Sequence, residues 1–218
     1  MTEAKATLLI DCLQASNPSK ERFLEWRAGG VGCVHITLAI WETARETISV
    51  IGKWNRLFAA NSDLVALAAS ADEIEDIAAS GRTAVVFGFQ NTSPFEDDID
   101  LVEIFHTLGV RIAQLTYNVQ NNIGSGGWED DDHGISQFFG RNVVREMNRL
   151  GIMVDVSHVS DAAFDDVMEV TTVPVTVELG ITGTAAASDY TASATQVVIA
   201  PGATSGSITV TAVDDTED

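Results

Sequence analysis

The chain has 218 residues, with 12 Lys or Arg against 32 Asp or Glu, and its formal net charge of −20 argues against a nucleic-acid-binding role. Hydrophobic residues make up 45% of the chain, which is enough for a folded core. Because the amino terminus shows no secretory signal pattern and no apolar run approaches the ~20 residues that span a bilayer, we expect a cytoplasmic protein without a transmembrane segment.

Six short apolar segments alternate with six helical segments in the first two thirds of the chain. The predicted strands are TLLIDCL, VGCVHITLAI, DLVALA, TAVVFGFQ, VRIAQLTY and IMVDVSH. The predicted helices are PSKERFLEWRAGG, TARETISVIGKWNRLFAANS, ADEIEDIAASG, DDIDLVEIFHTLG, ISQFFGRNVVREMNRLG and SDAAFDDVMEV. Uniformly apolar strands joined by helical crossovers are typical of parallel sheets. The repeat predicts an α/β fold, either a βα barrel or a doubly wound sheet, over residues 1–175.

The composition changes after Pro174. Residues 176–218 are rich in Thr, Ala, Gly and Val, and the segments QVVIA and SITVTAV alternate apolar and polar side chains on either side of a Pro-Gly turn. This pattern is typical of antiparallel β structure. We therefore predict a second, smaller β module from residue 176 onward.

Candidate functional side chains follow the predicted strands, since the chemistry of a βα barrel lies at the carboxyl ends of its strands. His158 lies where a metal ligand would be placed, although a lone histidine there also fits a structural role. His35 lies within an apolar strand and is interpreted as a core histidine with its hydrogen bonds satisfied. Cys12 and Cys33 form no CxxC pair, and we predict that both are buried, reduced thiols.

Two long segments resemble the membrane (renal-type) dipeptidases, metallopeptidases of the amidohydrolase superfamily. They are FGFQNTSPFEDDIDLVEIFHTLGVRIAQLTYN and HGISQFFGRNVVREMNRLGIMVDVSHVSD. The resemblance covers residues 6–175, about the first half of such a domain, and implies an incomplete TIM (β/α) barrel. It also implies two zinc ions, which activate a water molecule and polarise the peptide carbonyl of a dipeptide substrate.

The resemblance assigns the family's site positions to particular residues of this chain. Leu13 and Ala15 occupy the positions of a His-x-Asp ligand pair. Gln90 stands at the position of the bridging glutamate, and Tyr117 at that of a histidine that contacts the substrate. His158 matches a ligand of the second zinc ion and is retained. One imidazole is too little to hold zinc tightly, so we expect the chain to be inactive alone.

The tail resembles the middle strands of a Calx-beta motif, a calcium-binding β-sandwich. Proteins with this motif indicate an extracellular location as the alternative to the cytoplasm. The similar segment is VTVELGITGTAAASDYTASATQVVIAPGATSGSITVTAVDDTED. The resemblance places Asp189, Asp214 and Asp215 at acidic ligand positions, and carboxylate oxygens are typical calcium ligands. The fold expected here is a partial antiparallel β-sandwich.

Three functions remain open from the sequence. The chain is a zinc-dependent enzyme that hydrolyses dipeptides, a calcium-binding interaction module, or a fusion of two incomplete domains without a function of its own. Incomplete domains leave strand edges unpaired, and such edges favour oligomerisation.

Overall fold

The computed structural model describes residues 8–171, 175–178, 190–200 and 206–213. The strands of its main sheet are β1 Leu9–Gln14, β2 Val31–Ala39, β3 Val65–Leu67, β4 Thr83–Phe89, β5 Val110–Gln114 and β6 Met153–Asp155. The helices are α1 Lys20–Ala28, α2 Ala44–Ala60, α3 Ala71–Ala79, α4 Asp100–Thr107, α5 Phe139–Leu150 and α6 Asp161–Val170. A short 3₁₀ helix, Ser93–Phe95, follows β4. The predicted alternation of strands and helices is confirmed.

The main sheet is parallel throughout. Its strand order is β1-β2-β4-β5-β6. Strand β3 pairs with the first half of β4, and β5 pairs with the second half of β4 along the same edge. In a doubly wound sheet the strand order reverses and helices cover both faces. Here the order advances from β1 to β6 with one local step back, from β3 to β4, and α3 is the one described helix of the main sheet that packs on the inner face, so the sheet is the curled half of a (β/α) barrel.

Side chains alternate along each strand between an outer and an inner face. On β4, Val85, Phe87 and Phe89 are fully buried beneath the helices of the outer face. Five helices, α1, α2, α4, α5 and α6, contribute to this outer core. Four of the described helices, α1, α2, α3 and α6, begin with a side-chain cap; the caps are Ser19, Thr43, Ser70 and Ser160. Such caps satisfy backbone N–H groups that lack a partner in the first turn.

The inner face of the sheet carries a smaller apolar cluster. Cys33, Ala84 and Val86 pack there with Ile74 and Ile77 of α3. Beside this cluster lies a cavity of about 650 Å³ that reaches from β1 to β6. Both of these strands are edge strands of the sheet.

The two cysteines differ in exposure. Cys33 is buried, whereas Cys12 is exposed, so the prediction of two buried thiols is wrong for Cys12. The reason is that β1 is an edge strand, and its side chains lack the covering that the neighbouring strand β2 receives.

The tail forms two antiparallel pairs, which confirms the expected β structure. Strand β7 Val175–Glu178 pairs with β9 Gln196–Ile199, and β8 Tyr190–Ala192 pairs with β10 Val210–Ala212. The β-sandwich itself stays a prediction. The calcium candidates Asp189, Asp214 and Asp215 and the junction at Pro174 lie outside the described residues. No helix in the described ranges is both long enough and apolar enough to cross a membrane.

Candidate functional site

Hydrogen bonds join the carboxyl ends of consecutive strands into one rim. The Gln90 backbone N–H donates to the Ala39 carbonyl at 3.0 Å, which joins the ends of β4 and β2. The Gln114 side-chain amide donates to the carbonyls of Gln90 at 2.8 Å and Thr116 at 2.7 Å. The Thr116 hydroxyl donates to the His158 carbonyl at 3.1 Å. The ends of β2, β4, β5 and β6 are therefore held in a fixed relation.

His158 lies on this rim in a strained backbone conformation. Its φ is +64°, a region that residues other than glycine rarely adopt. Its carbonyl accepts hydrogen bonds from Thr116 and from the Gly127 N–H, at 3.1 and 2.8 Å. These two bonds hold the left-handed turn, and they fix the direction in which the imidazole leaves the backbone.

Asn118 determines which imidazole nitrogen of His158 is free. The His158 Nδ1 lies 2.6 Å from the Asn118 Oδ1. A side-chain carbonyl oxygen only accepts hydrogen bonds, so Nδ1 is the donor, and in the neutral ring Nε2 keeps its lone pair. Nε2 is thus left as an acceptor or a ligand atom at an exposed position.

Tyr117 packs directly on His158. The two rings stack with their centroids 4.8 Å apart and an interplanar angle of 29°. Trp41, which follows β2, meets the Tyr117 ring edge-on at 5.8 Å. The structure therefore brings two of the residues singled out by the sequence, Tyr117 and His158, into contact, within a small aromatic cluster.

Gln90 faces a different part of the rim. Together with Ala15, which stands at a ligand position of the family, it lines a cavity of about 310 Å³ between β1, β2 and α2. Leu13, at the other position of that ligand pair, is 41% exposed. Hydrogen bonds of the Gln90 backbone, not of its side chain, connect it to the strand ends that carry Tyr117 and His158.

The described residues do not fit a two-zinc centre. Four of the matched positions carry no imidazole, thiolate or carboxylate, the groups that bind zinc. They are Leu13, Ala15, Gln90 and Tyr117. In the part of the chain that the structure describes, no group of three or more His, Cys, Asp or Glu side chains is placed to hold a metal ion. His158 alone cannot substitute for such a group.

His35 is the buried histidine of the inner face. Its Nδ1 lies 2.6 Å from the Cys12 carbonyl, but its Nε2 is buried with no hydrogen-bond partner among the described residues, so only half of its hydrogen-bonding capacity is satisfied. Burial holds its pKa below the ordinary value of 6.5, against the opposing effect of the Cys12 carbonyl. The ring lies against Gly88, where a Cβ would overlap Nε2.

Sequence reasoning placed Thr116 and Asn118 at a strand end without assigning them a role, and it missed Gln114 and Asp132. Asn118, Gln114 and Thr116 orient the predicted positions through side-chain hydrogen bonds. Asp132, in the acidic loop of residues 129–134, accepts hydrogen bonds from the Ser160 hydroxyl and from the Ala162 N–H at the start of α6, and these bonds lower its pKa. The polar run LTYN after β5 was the available signal for two of these residues.

The chain is similar to known proteins in sequence and in fold. The profile of the family described as Membrane dipeptidase (Peptidase family M19) matches residues 12–186. The dipeptidase tcpJ of Claviceps purpurea is 35% identical over 134 residues, which are 60% of this chain and 31% of that protein. The dipeptidase verJ of Clonostachys rogersoniana is 31% identical over 183 residues, 76% of this chain and 47% of that protein.

A solved structure, that of an amidohydrolase from Pseudomonas aeruginosa, superimposes with a TM-score of 0.74 at 40% identity. The match covers 77% of this chain and 51% of that one. The probable dipeptidase PvdM of the same organism shares the fold with a TM-score of 0.69 at 18% identity, and there too the match covers 51% of that chain. The match therefore spans about a third to a half of each of these four relatives.

Proposed function

Because the chain belongs to the membrane dipeptidase family, peptidase family M19, we propose that it binds a dipeptide at the carboxyl ends of its strands without hydrolysing it alone. The observation that carries the proposal is the hydrogen-bonded rim, which holds Gln90, Tyr117 and His158 on consecutive strand ends. Ligands of barrels of this kind bind at the same end of the strands. The rim offers neutral polar groups beside aromatic rings, a combination that suits a small peptide.

The contribution of His158 to binding follows from its tautomer. With the proton on Nδ1 shared with Asn118, the Nε2 lone pair accepts a hydrogen bond from the amide N–H or the ammonium group of a dipeptide. Tyr117 stacks on the ring and restricts its rotation. The imidazole is therefore oriented before the ligand arrives, which lowers the entropic cost of binding.

Hydrolysis requires more than these residues. In this family's chemistry, zinc lowers the pKa of a bound water molecule so that a nucleophile exists at neutral pH. The described residues do not fit that metal, and His158 is the one matched ligand. Leu13, Ala15 and Gln90 occupy three further matched ligand positions without a group that binds zinc, and the chain spans about half of the P. aeruginosa amidohydrolase.

The test is calorimetric titration of the whole chain with Gly-Leu, together with zinc analysis and a hydrolysis assay on the same sample. We expect binding, no stoichiometric zinc and no turnover. His158→Ala removes one hydrogen bond to the ligand and should weaken binding by about five- to tenfold. The matched control is His133→Ala, since His133 is an exposed histidine outside the cavity that Gln90 lines.

Each part of the proposal has its own contrary outcome. Turnover of Gly-Leu by a sample with stoichiometric zinc would overturn the non-hydrolytic part. The absence of binding heat at millimolar Gly-Leu would overturn the binding part. Equal weakening by both histidine variants would remove His158 from the site.

A further inference from the structure

We propose that the cavity between β1, β2 and α2 receives the C-terminal residue of the ligand, with a free carboxylate and an aliphatic side chain. This inference rests on the proposed function and specifies its ligand. The cavity of about 310 Å³ lies at the carboxyl ends of β1 and β2. This volume is at the small end of the range found for ligand pockets, which suits one amino-acid residue rather than a larger group.

Two buried hydroxyl groups point to a ligand with hydrogen-bond acceptors. Ser16 and Thr37 both line the cavity, and their Oγ and Oγ1 atoms are buried without a hydrogen-bond partner among the described residues. Buried polar atoms in native proteins are nearly always paired, so an unpaired one needs an explanation. A ligand oxygen in this cavity would accept hydrogen bonds from both hydroxyl groups.

The charge of the cavity lining favours an anionic acceptor. Lys53 of α2 lines the cavity, and it forms no ion pair within the described residues. No Asp or Glu is among the lining residues, although the chain as a whole carries a net charge of −20. One unpaired cation beside two free hydroxyl donors suits a carboxylate better than an ammonium group, which would meet only like charge.

Neutral amides complete the polar side of the cavity. The Gln14 amide is already engaged: its Nε2 donates to Asp11 at 3.1 Å and its Oε1 accepts from the Ser16 N–H at 3.0 Å. The Gln90 side chain has no hydrogen-bond partner in the described part of the chain and is free to bind the ligand's peptide group. Since Ala15 and Gln90 stand where the family places charged ligands, this site lacks the negative charge that would repel a carboxylate.

The opposite wall of the cavity is apolar. This wall consists of Ile36 of β2, Ile40 just after β2, and three residues of α2, namely Val50, Trp54 and Leu57. An aliphatic side chain packed there would leave water, which favours binding by roughly 0.8 kcal/mol for each buried methylene group, a factor of about four in affinity. The cavity thus combines an apolar wall with a cationic, hydrogen-bonding edge, as the C-terminal residue of a Gly-Leu-type peptide requires.

The experiment compares Gly-Leu with Gly-Leu amide by calorimetric titration of the whole chain, with 4-methylpentanoate as a probe that carries only the side chain and the carboxylate. Lys53→Met should weaken Gly-Leu and 4-methylpentanoate binding by about five- to tenfold and leave Gly-Leu amide unchanged. Thr37→Val should weaken both carboxylates by a smaller factor. The matched control is Lys20→Met, an exposed lysine at the start of α1 outside the cavity.

The outcomes separate this inference from the proposed function. If Gly-Leu binds but Lys53→Met and amidation change nothing, the inference is overturned and the proposed function stands. If 4-methylpentanoate binds in a Lys53-dependent way and Gly-Leu does not bind, the carboxylate site stands and dipeptide binding fails. If inorganic phosphate binds at Lys53 as tightly as 4-methylpentanoate does, the site recognises anions without an aliphatic group, and the inference is overturned.

Discussion

The outer and the inner face of the same sheet are built differently. The outer face is covered by five helices and is closely packed with large apolar side chains, including Phe87, Phe89 and Phe105, all fully buried. The inner face has one helix, a smaller apolar cluster, a buried histidine and a cavity of about 650 Å³. The comparison teaches that the outer face holds most of the packed core, whereas the groups available for binding lie on the rim and in the cavity between β1, β2 and α2.

Aromatic contacts account for much of the difference. On the outer face, Phe89 meets Phe105 edge-on at 5.2 Å, and Phe87 stacks on Phe58 at 5.8 Å. On the inner face, Gly88 occupies the position between Val86 and Gln90, and its missing side chain leaves room for the ring of His35. Packing on the outer face is therefore dense, while the inner face depends on single close contacts.

Phe87→Ala is the substitution with the largest expected effect, because it leaves a cavity beneath the helices of the outer face. We expect it to lower the free energy of unfolding by about 3–5 kcal/mol. The measurement is urea denaturation of the whole chain. The control is Phe138→Ala, where the side chain is 88% exposed and the expected change is within about 0.5 kcal/mol. Equal changes for the two variants would contradict the described packing.

Gly88→Ala tests the inner face and should destabilise the chain less, by about 1–3 kcal/mol. The added methyl group would overlap His35 Nε2 and lie 2.8 Å from the Ile112 carbonyl oxygen. His35→Ala removes the first of these two contacts. In a double-mutant cycle by urea denaturation, we therefore expect the combined variant to lose less stability than the sum of the single ones. Strict additivity would show that the glycine and the histidine are not in contact.

The outer face was largely predictable from the sequence, and the inner face was not. Strands such as TAVVFGFQ are apolar throughout, and this pattern correctly predicted buried parallel strands with helices between them. The contact between His35 and Gly88 joins residues far apart in the chain, and nothing in the local pattern indicates it. The exposure of Cys12 depends on which strand lies at the sheet edge, which local periodicity cannot reveal.

The candidate site also has a part that the sequence predicted and a part that it did not. The resemblance singled out Tyr117 and His158, and the structure places their rings in contact. The two unpaired hydroxyl groups of Ser16 and Thr37 become visible only when the folded chain shows that both line one cavity. Their residue types are ordinary in strands and loops, so their significance comes from burial without a partner, which is a property of the fold.

The smallest predicted effect concerns pH and comes from the burial of His35. Burial lowers the pKa of His35 in the folded chain below 6.5, the ordinary value that applies to the unfolded chain. At pH values between these two pKa values, His35 binds a proton in the unfolded chain but not in the folded chain. The stability contributed by neutral His35 is therefore complete above about pH 6.5 and is lost as the pH falls below it. Urea denaturation at about pH 7.5 and about pH 5.5, both above the usual carboxyl range, should show this loss.

His35→Gln should reduce the loss of stability between these two pH values, since the amide does not titrate there. His106→Gln is the matched control: burial and the Arg111 guanidinium also lower the pKa of His106, but its side chain on α4 is only half-buried. We therefore expect both variants to reduce the dependence on pH, and His35→Gln to reduce it more. If His106→Gln had the larger effect, the acid sensitivity would belong to the helical layer, and the inner face would not be the part of the fold that depends on a neutral, buried group.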